Sequence, residues 1–585
     1  MAGQPKAPFF LVLGLVVIGL VGFAIYRSDL FAPEAGRPNG GAGGGPGAAG
    51  GGGAGEMERA VEQPGPAGVT TVSEYKFKPS ERLPAIRGAS QYQALEDNTV
   101  RFALNVWAGW GPIILANEGF KAGHVWKTPD GEEFKVELVL IDNPFLMQDA
   151  FASGNVHIGW GTLDMLPLFL ERIVDAQGKP TDSRVMPRIY QQVDWSNGGD
   201  GIVVRESIRT IAHLRGKKIV LAQNSPSHYF LLNMLVASGV QPAEVEMVFT
   251  DDAFQAAAAF NQDRSLSGVV SWAPDIYNLE KVRGNELRVT TKEANKLIAD
   301  VWFARADFAK DHPGILEGLV RGIFDAMVDL KDEAKKKRCA ELMAEGYNIP
   351  ATDTLAMFAD AHNTNWAENY QFFMNQNNPA NFERVWKQAY SLYRRVGSIT
   401  HQPIPFDQVM DFSLIEKLGK EEKYQSQRNE YQIAFAPRPT ELVVEADEIL
   451  TNTVIIHFYP NSWELEKKIT EEVGGKTVEK LYDPNVDFVL EEIAKLTGQF
   501  GGARVVISGH TDGSMKGQAP PELVKELSHN RANAVKEALV QQYQLDPNQL
   551  NVRGAGWDEP ADSTDPDNHF KNRRVEIKIV TAERE

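Results

Sequence analysis

At 585 residues the chain exceeds the about 250–300 residues that one core supports, so several domains are expected. Its apolar fraction of 43% and charged fraction of 24% are ordinary for globular protein, while a formal net charge of −18 excludes the basic stripe that a nucleic-acid partner requires. The single cysteine, Cys339, excludes an intrachain disulfide framework and any multi-cysteine metal site.

Ala7 to Tyr26 is uncharged and largely Leu, Val, Ile, Phe and Gly. At ~1.5 Å per helical residue such a run just spans a ~30 Å hydrocarbon core. A transmembrane anchor over residues 1–27 is therefore expected, with a cleaved signal peptide as the rival reading. Gly, Ala and Pro dominate from Ala32 to about Gly68, a composition that builds no core. Residues 28–97 are expected to form a flexible linker with a root-mean-square reach of roughly 45 Å, and its less biased end is expected to pack partly on the next domain.

From Val100 to about Thr291, strand and helix patterns alternate. Strands are expected at Val100–Val106, Val136–Leu140, Val156–Trp160, Ile189–Val193, Gly201–Val204, Lys218–Leu221, Val245–Phe249 and Gly268–Ser271. This alternation predicts α/β layers with largely parallel sheets, which bind ligands at the carboxyl ends of their strands. Trp107, Trp110, Asp142, Trp160, Asp194, Trp195, Ser225, Trp272 and Asp275 all fall there. In the segment 221–239, Ser225 suits an N-cap, Pro226 the first helical position and Gly239 the helix end. Ser225 and Ser227 would offer hydroxyls and N–H groups to an anion; an ordinary well-capped helix reads equally well.

Helices are expected at Asp307–Leu330 and Asp332–Gly346. The aromatic stretch Asn363–Arg395 has the spacing of a packed core rather than of a ligand cage. Pro403–Pro439 reads as an irregular or partly helical connector. Beyond it, Val505 and Ile507 suit a strand, Leu527 to Leu539 a helix, and Val575, Ile577 and Ile579 alternate with Glu576 and Lys578 as a half-buried strand. Asp512, Arg531 and the arginines Arg573 and Arg574 could converge on one groove. It would suit a zwitterion, with Asp512 for an ammonium and Arg531 for a carboxylate.

Four motifs in order, GHTD (509–512), LSHNRA (527–532), GAGWDEP (554–560) and NRRVEI (572–577), resemble the OmpA-like peptidoglycan-binding family. That resemblance implies an α/β sandwich over 436–585 whose Asp512 and Arg531 clasp the diaminopimelate of the wall peptide, with Thr511, Arg573 and Arg574 beside them. Two departures stand out: an insertion around Ser514–Pro521, and Val524 where the family has asparagine. VWAGWGPIILANEGF (106–120), AFASGNVHIGW (150–160), LRGKKIVLAQNSPSHYFLLNMLVASGV (214–240) and Trp272-Ala273-Pro274 resemble the periplasmic solute-binding proteins of the nitrate/sulfonate/taurine and thiamine-precursor group. This second resemblance implies a two-lobed type II periplasmic-binding-protein fold over 98–435, the first lobe at about 99–195 with 298–420 and the second at about 196–297. Ligand would sit between the lobes, against Trp107, Trp110, Asp142, Trp160, Ser225, Ser227, Trp272 and Asp275.

The function so implied is a tethered, wall-anchored periplasmic solute-binding protein of a Gram-negative envelope, serving an ABC-type permease and using no cofactor or metal. A structural or sensory envelope protein with reused lobes is the alternative. No enzyme is expected: the related pyrimidine-precursor synthases use a cysteine-rich iron motif that one cysteine cannot supply. The serine-rich helix start suggests an anionic ligand such as sulfonate, nitrate, phosphate or a carboxylated heterocycle. Asp142, Asp194 and Asp275 could select a cation or an amine, but the anionic ligand is the favoured expectation.

Overall fold

The computed structural model describes residues 88–473 and 476–582, together with Ser80, Leu83, Pro84 and Ile86. The expected anchor and the glycine-rich tether lie outside the described residues. Among the described residues no helix is long and apolar enough to cross a membrane.

The chain builds two mixed sheets and crosses between them twice. Strands β1 (Thr99–Leu104), β2 (Val125–Lys127), β3 (Glu133–Leu140), β4 (Ile158–Thr162) and β5 (Pro187–Ser196) belong to the first. The second takes β6 (Asp200–Arg205), β7 (Lys218–Ala222), β8 (Glu246–Thr250), β9 (Gly268–Trp272) and β10 (Asn285–Thr290). The chain then returns through β11 (Ala299–Arg305) and β12 (Ala361–Asn363) to the first sheet. The orders are β12-β5-β11-β4-β1-β3-β2 and β10-β6-β9-β7-β8.

The expectation of largely parallel sheets is corrected. Only β1 with β3 and β4, and β7 with β8 and β9, pair in parallel. The strands that carry the chain between sheets run against their neighbours: β11 is antiparallel to both β4 and β5, and β6 to both β9 and β10. A strand entering from the other lobe arrives at the opposite end of the sheet, so this reversal follows from the crossings.

β11 is buried along its whole length, Trp302 filling the space beside Phe102 with ring centroids 5.9 Å apart. The helix expected over Asp307–Leu330 is two helices, Ala306–Asp311 and Pro313–Asp329. Pro313 has no N–H to continue the first one and starts the second at its first position. In Asn363–Arg395, Phe372, Phe382, Trp386, Tyr390 and Tyr393 are all buried. The residues ahead of β1 lie on the first lobe, where the Arg172 guanidinium donates to the Pro84 carbonyl at 2.8 Å and Ser90 N–H to that of Ala152 at 3.0 Å.

The C-terminal part has a sheet of order β13-β18-β16-β17, formed by β13 (Glu448–Val454), β16 (Arg504–His510), β17 (Leu550–Gly556) and β18 (Arg574–Val580). An exposed hairpin, β14 (Lys468–Val473) with β15 (Lys476–Leu481), stands apart from it. The long helix begins at Pro521, six residues before the expected start, and runs to Tyr543. The inserted segment explains this: Met515 and Ala519 fold back on Val524 in a small apolar cluster with Trp557. An asparagine at 524 would leave its amide buried there.

This part docks on the second crossing between the sheets. Helix Val486–Gln499 and the turn after it meet the β10–β11 connection: Lys296 N–H donates to the Gln499 carbonyl and Gly502 N–H to that of Glu293, each at 3.2 Å. The approach requires glycine, since a Cβ at 502 would lie 2.0 Å from the Lys292 carbonyl oxygen. Gly502→Ala should therefore force the two surfaces apart at a cost of about 1–3 kcal/mol. Thermal denaturation and limited proteolysis of the stretch between the two domains, residues 426–439, would measure it; unchanged melting and cleavage would show that the contact is dispensable.

Candidate functional sites

The two lobes meet at the carboxyl end of β4, where three strands place polar side chains abreast. Register pairs Asp300 of β11 with Thr162 of β4 on one side and with Asp194 of β5 on the other. Asp164 follows two residues after Thr162, and Asp200 opens β6 across the first crossing. All five are buried. Burial is a consequence of position, because the lobes close over the row from both sides.

Hydrogen bonds satisfy only part of this set. The Trp107 indole N–H donates to Asp194 Oδ1 at 3.1 Å, and the Ser196 hydroxyl to Asp200 Oδ2 at 2.7 Å. Asp360, facing the same junction, accepts from the Tyr277 hydroxyl at 2.6 Å. The Thr162 and Tyr393 hydroxyls stand beside Asp164 and Asp300 beside Asp194, but none makes a short hydrogen bond to the Asp164 oxygens or to Asp194 Oδ2. Gly109 leaves room for that last oxygen, since a Cβ there would fall 1.6 Å from it.

Electrostatics follow from burial. Desolvation pushes the Asp164 carboxyl up to about 7, against hydroxyls of Thr162 and Tyr393 that pull it down. Asp200 is likewise pushed up to about 7 by burial, with Asp360 adding repulsion, and Asp360 itself to about 6. For the neighbours Asp194 and Asp300, burial raises both and the Asp194 charge raises Asp300 further, so the proton they compete for resides on Asp300.

The residues expected around this cleft divide. Trp107 and Asp194 are joined directly, and Trp160 lies alongside, its indole N–H on the Ile141 carbonyl at 3.0 Å. Asp142 is spent on the backbone, accepting from Val106 N–H at 2.7 Å. Trp110 belongs to the core: it is 1% exposed, bonded to Asn105 and packed edge-on to Phe102. Ser225 caps helix Pro226–Ala237, but its hydroxyl donates back to the Ala222 carbonyl at 2.9 Å and the Tyr393 hydroxyl covers its own carbonyl at 3.3 Å. Ser227 is fully buried, its hydroxyl without a partner. Trp272 and Asp275 sit on the second lobe, Trp272 half-buried against Phe254 and Asp275 raised by burial.

Sequence reasoning passed over Thr162, Asp164, Asp200, Asp300 and Asp360. The available signal was Asn197-Gly198-Gly199-Asp200 between two strand patterns, a tight turn delivering a carboxylate. Asp300 lay in β11, a strand that was not expected.

A second candidate lies in the C-terminal part. Arg531, Arg573, Arg574, His510 and His569 line a narrow groove of about 30 Å³ with Phe458 and Tyr482. The Arg531 Nε–H donates to the Ser462 carbonyl at 3.0 Å, and the guanidinium lies 5.0 Å from the Phe458 ring centre. Asp512 sits behind this lining, 1% exposed. It accepts from Ser514 N–H at 2.8 Å, from His569 Nδ1 at 3.0 Å and from Arg573 Nε. Burial pushes its carboxyl up, but Ser514, Arg573 and His569 together hold it below the usual range. Thr511 is buried with its hydroxyl unpartnered. Arg574 turns to Glu576 at 2.7 Å and to the Glu559 carbonyl at 3.0 Å, which makes it a brace of the groove wall. Glu576 is pushed up by burial yet brought down to about 2 by His510 and Arg574.

Comparison with known proteins gives these two regions separate relatives. Residues 458–574 match the OmpA family, and residues 196–334 match the NMT1/THI5 like family. The taurine-binding periplasmic protein of Escherichia coli (strain K12) is 29% identical over 180 residues, 30% of this chain and 52% of that one. Outer membrane protein Omp38 of Acinetobacter baumannii (strain ATCC 17978) is 32% identical over 117 residues, 20% of this chain and 31% of that one. The chain thus spans about half the length of the first relative and less than a third of the second. The structure of the periplasmic aliphatic sulphonate binding protein SsuA from Escherichia coli covers 53% of this chain and 97% of its own at 17% identity, with a TM-score of 0.40. An OmpA domain therefore lies at the C-terminus, behind an NMT1/THI5-like domain, as the two sets of motifs implied.

The raised carboxyls carry a pH signature. A carboxyl whose folded pKa is raised contributes stability that is full below its unfolded value and is lost as pH rises through the folded one. For Asp164 the window runs from about pH 4 to about pH 7. Asp512 and Glu576, being lowered, act only at the acid end and in the opposite sense. Asp164→Asn should match wild type near pH 4.5 and melt higher than it near pH 8, by on the order of 4 kcal/mol at most. Paired thermal melts across that range test this; a variant less stable at every pH would contradict it.

Proposed function

We propose that this chain is a periplasmic, peptidoglycan-anchored solute-binding protein. Its NMT1/THI5-like lobes hold a small molecule in the cleft at Asp194 and Asp300, and its OmpA domain holds the cell wall. The observation that carries this reading is the pair of crossings between two mixed sheets, which sets a buried and incompletely satisfied polar row where closing lobes enclose a ligand. The natural division is 98–435 for the binding lobes and 436–585 for the wall domain. Residues 1–27 as an inner-membrane helix and delivery to an ABC-type permease complete the proposal. No catalytic step is assigned to the chain.

A second reading is favoured by the docking of helix Val486–Gln499 on the β10–β11 connection. Lobe closure moves the crossings, so a wall-held domain seated on one of them is placed to report occupancy. That arrangement suits an envelope sensor as well as a transport component. Genetic neighbourhood separates the two: permease and ATPase genes support transport, signalling or motor genes support sensing.

The wall-binding half is tested by co-sedimentation with purified diaminopimelate-type peptidoglycan. Wild type should pellet with it. Arg531→Ala should lose most of the binding, as should Asp512→Ala, because each removes one pole of the clasp for a zwitterionic peptide end. Circular dichroism checks that both variants remain folded. Folded variants that pellet like wild type would refute the clasp.

A further inference from the structure

Resting on the reading that the C-terminal domain holds the cell wall, we propose that Tyr459, Tyr482 and the hairpin β14–β15 form a second subsite beside its groove. This subsite takes a sugar: the N-acetylated aminosugar from which the clasped stem peptide hangs.

The groove wall continues into an aromatic surface outside it. Phe458 and Tyr482 line the groove, and the residue after Phe458, Tyr459, is 37% exposed. Arg531, the pole for the peptide carboxylate, holds this stretch in place. Its guanidinium donates to the Ser462 carbonyl at 3.0 Å and to the Tyr459 carbonyl at 3.5 Å. Tyr459 and Tyr482 meet edge to face with ring centres 5.4 Å apart, and the Lys467 ammonium lies 5.7 Å from the Tyr459 ring centre. Two tyrosines fixed in this way, one half-buried and one open to solvent, present an apolar ring with a polar tip. The C–H face of a pyranose matches such a surface, while its hydroxyls and acetamido group stay in water.

The hairpin supplies an independent observation. Lys476 to Lys480 are all exposed, and successive strand residues point to opposite faces, so both faces of the ribbon meet solvent. Val478 is 45% exposed. A lone two-stranded hairpin is marginally stable in water, and this one is secured at its base. Tyr482 N–H donates to the Lys467 carbonyl at 2.8 Å, and the buried Asp483 carboxylate accepts from His457 N–H at 2.9 Å. His457 and Tyr482 both line the groove, so the ribbon is rooted in the groove's own rim. Exposed beyond that root, it is placed to lie along whatever extends from the groove.

The chemistry of the wall selects the occupant. Diaminopimelate is the third residue of a stem peptide that is amide-linked to the lactyl group of a muramyl sugar. A sugar therefore lies within about 10–15 Å of the clasped residue, and Tyr459 borders the clasp directly. The ribbon carries both signs in balance, Lys468, Lys476 and Lys480 with Glu471, Glu472 and Glu479. It offers no single-sign field for a charged polymer, and an uncharged sugar suits it. With the peptide clasped, the sugar meets its subsite at high effective concentration, so even a weak contact adds to affinity.

The test is calorimetry on the full chain with two soluble wall fragments. One is the tripeptide ending in diaminopimelate; the other is the same tripeptide carrying N-acetylglucosaminyl-N-acetylmuramic acid. Wild type should bind the disaccharide form about five- to tenfold more tightly. Tyr459→Ala should abolish that difference and leave the free tripeptide within about twofold, whereas Tyr459→Trp should keep the difference. Circular dichroism reports the fold of both variants. Equal affinity of wild type for the two fragments overturns the inference while the wall-binding reading stands, and so does a preference that survives in folded Tyr459→Ala. If neither fragment binds, the wall-binding reading fails and the inference with it. If the sugar preference is absent and Tyr459→Ala instead changes the oligomeric state in sedimentation velocity, the surface joins copies of the chain and the inference fails. Equal binding by wild type refutes it whatever the variants do.

Discussion

The burial of Asp194 and Asp300 side by side, on strands that pair only because the chain crosses between its sheets, is the constraint on which the rest of the molecule turns. β5 leaves the first sheet at Ser196 and β11 re-enters it at Ala299, so both crossings begin or end within a few residues of the acidic row. A charge brought so close to the hinge cannot be shed to solvent without opening the lobes. Ionising the row therefore works against the burial that the two lobes impose on it.

The same crossings place the C-terminal domain. Its turn at Phe500–Gly502 rests on residues 292–296, the stretch that must bend if the lobes part. A polar relay runs alongside: Gln499 donates to Gln388 at 2.6 Å, and Gln388 to Asn233 of the helix that starts at Pro226. The C-terminal domain thus touches the β10–β11 connection and, through Gln388, the helix that starts at Pro226. Coupling between sites needs an element that both of them bias, and the β10–β11 connection is in contact with one domain while forming the hinge of the other.

What could be read in the sequence follows from the kind of burial each element has. β18 was legible because one face is buried and the other is not, which leaves Val575, Ile577 and Ile579 alternating with Glu576 and Lys578. Strands β1 and β3 showed as alternating apolar residues, β7 and β9 as apolar runs ended by turns. β11 escaped because it is buried on both faces, and Val301-Trp302-Phe303-Ala304 has no period to distinguish strand from helix. The hairpin β14–β15 was missed although Gly474-Gly475 is a hairpin signal, since its strands read as charged and polar. Of the candidate sites, the motif-bearing one left a local trace in the sequence: the motifs carry Arg531 and Arg573, which line one groove, and Asp512, which lies buried behind it. The cleft was legible only at Trp107 and Asp194. An isolated aspartate looks like surface in a chain of this acidity, and nothing local reveals that residues 162, 194 and 300 stand abreast.

The two sites use aspartate in opposite ways, and the contrast is itself informative. At Asp512, burial is outweighed by Ser514, Arg573 and His569, so the carboxylate keeps its charge across the physiological range. A group in that condition is a fixed pole: a ligand meets a finished electrostatic surface and little has to rearrange. At Asp194 and Asp300, burial is opposed only by neutral donors, and the pair holds its proton. A group in that condition changes its charge with its surroundings and is no fixed pole. A fixed pole can face a partner charge without changing its own protonation. A titrating pair beside the crossings instead ties the charge of the row to its burial between the lobes.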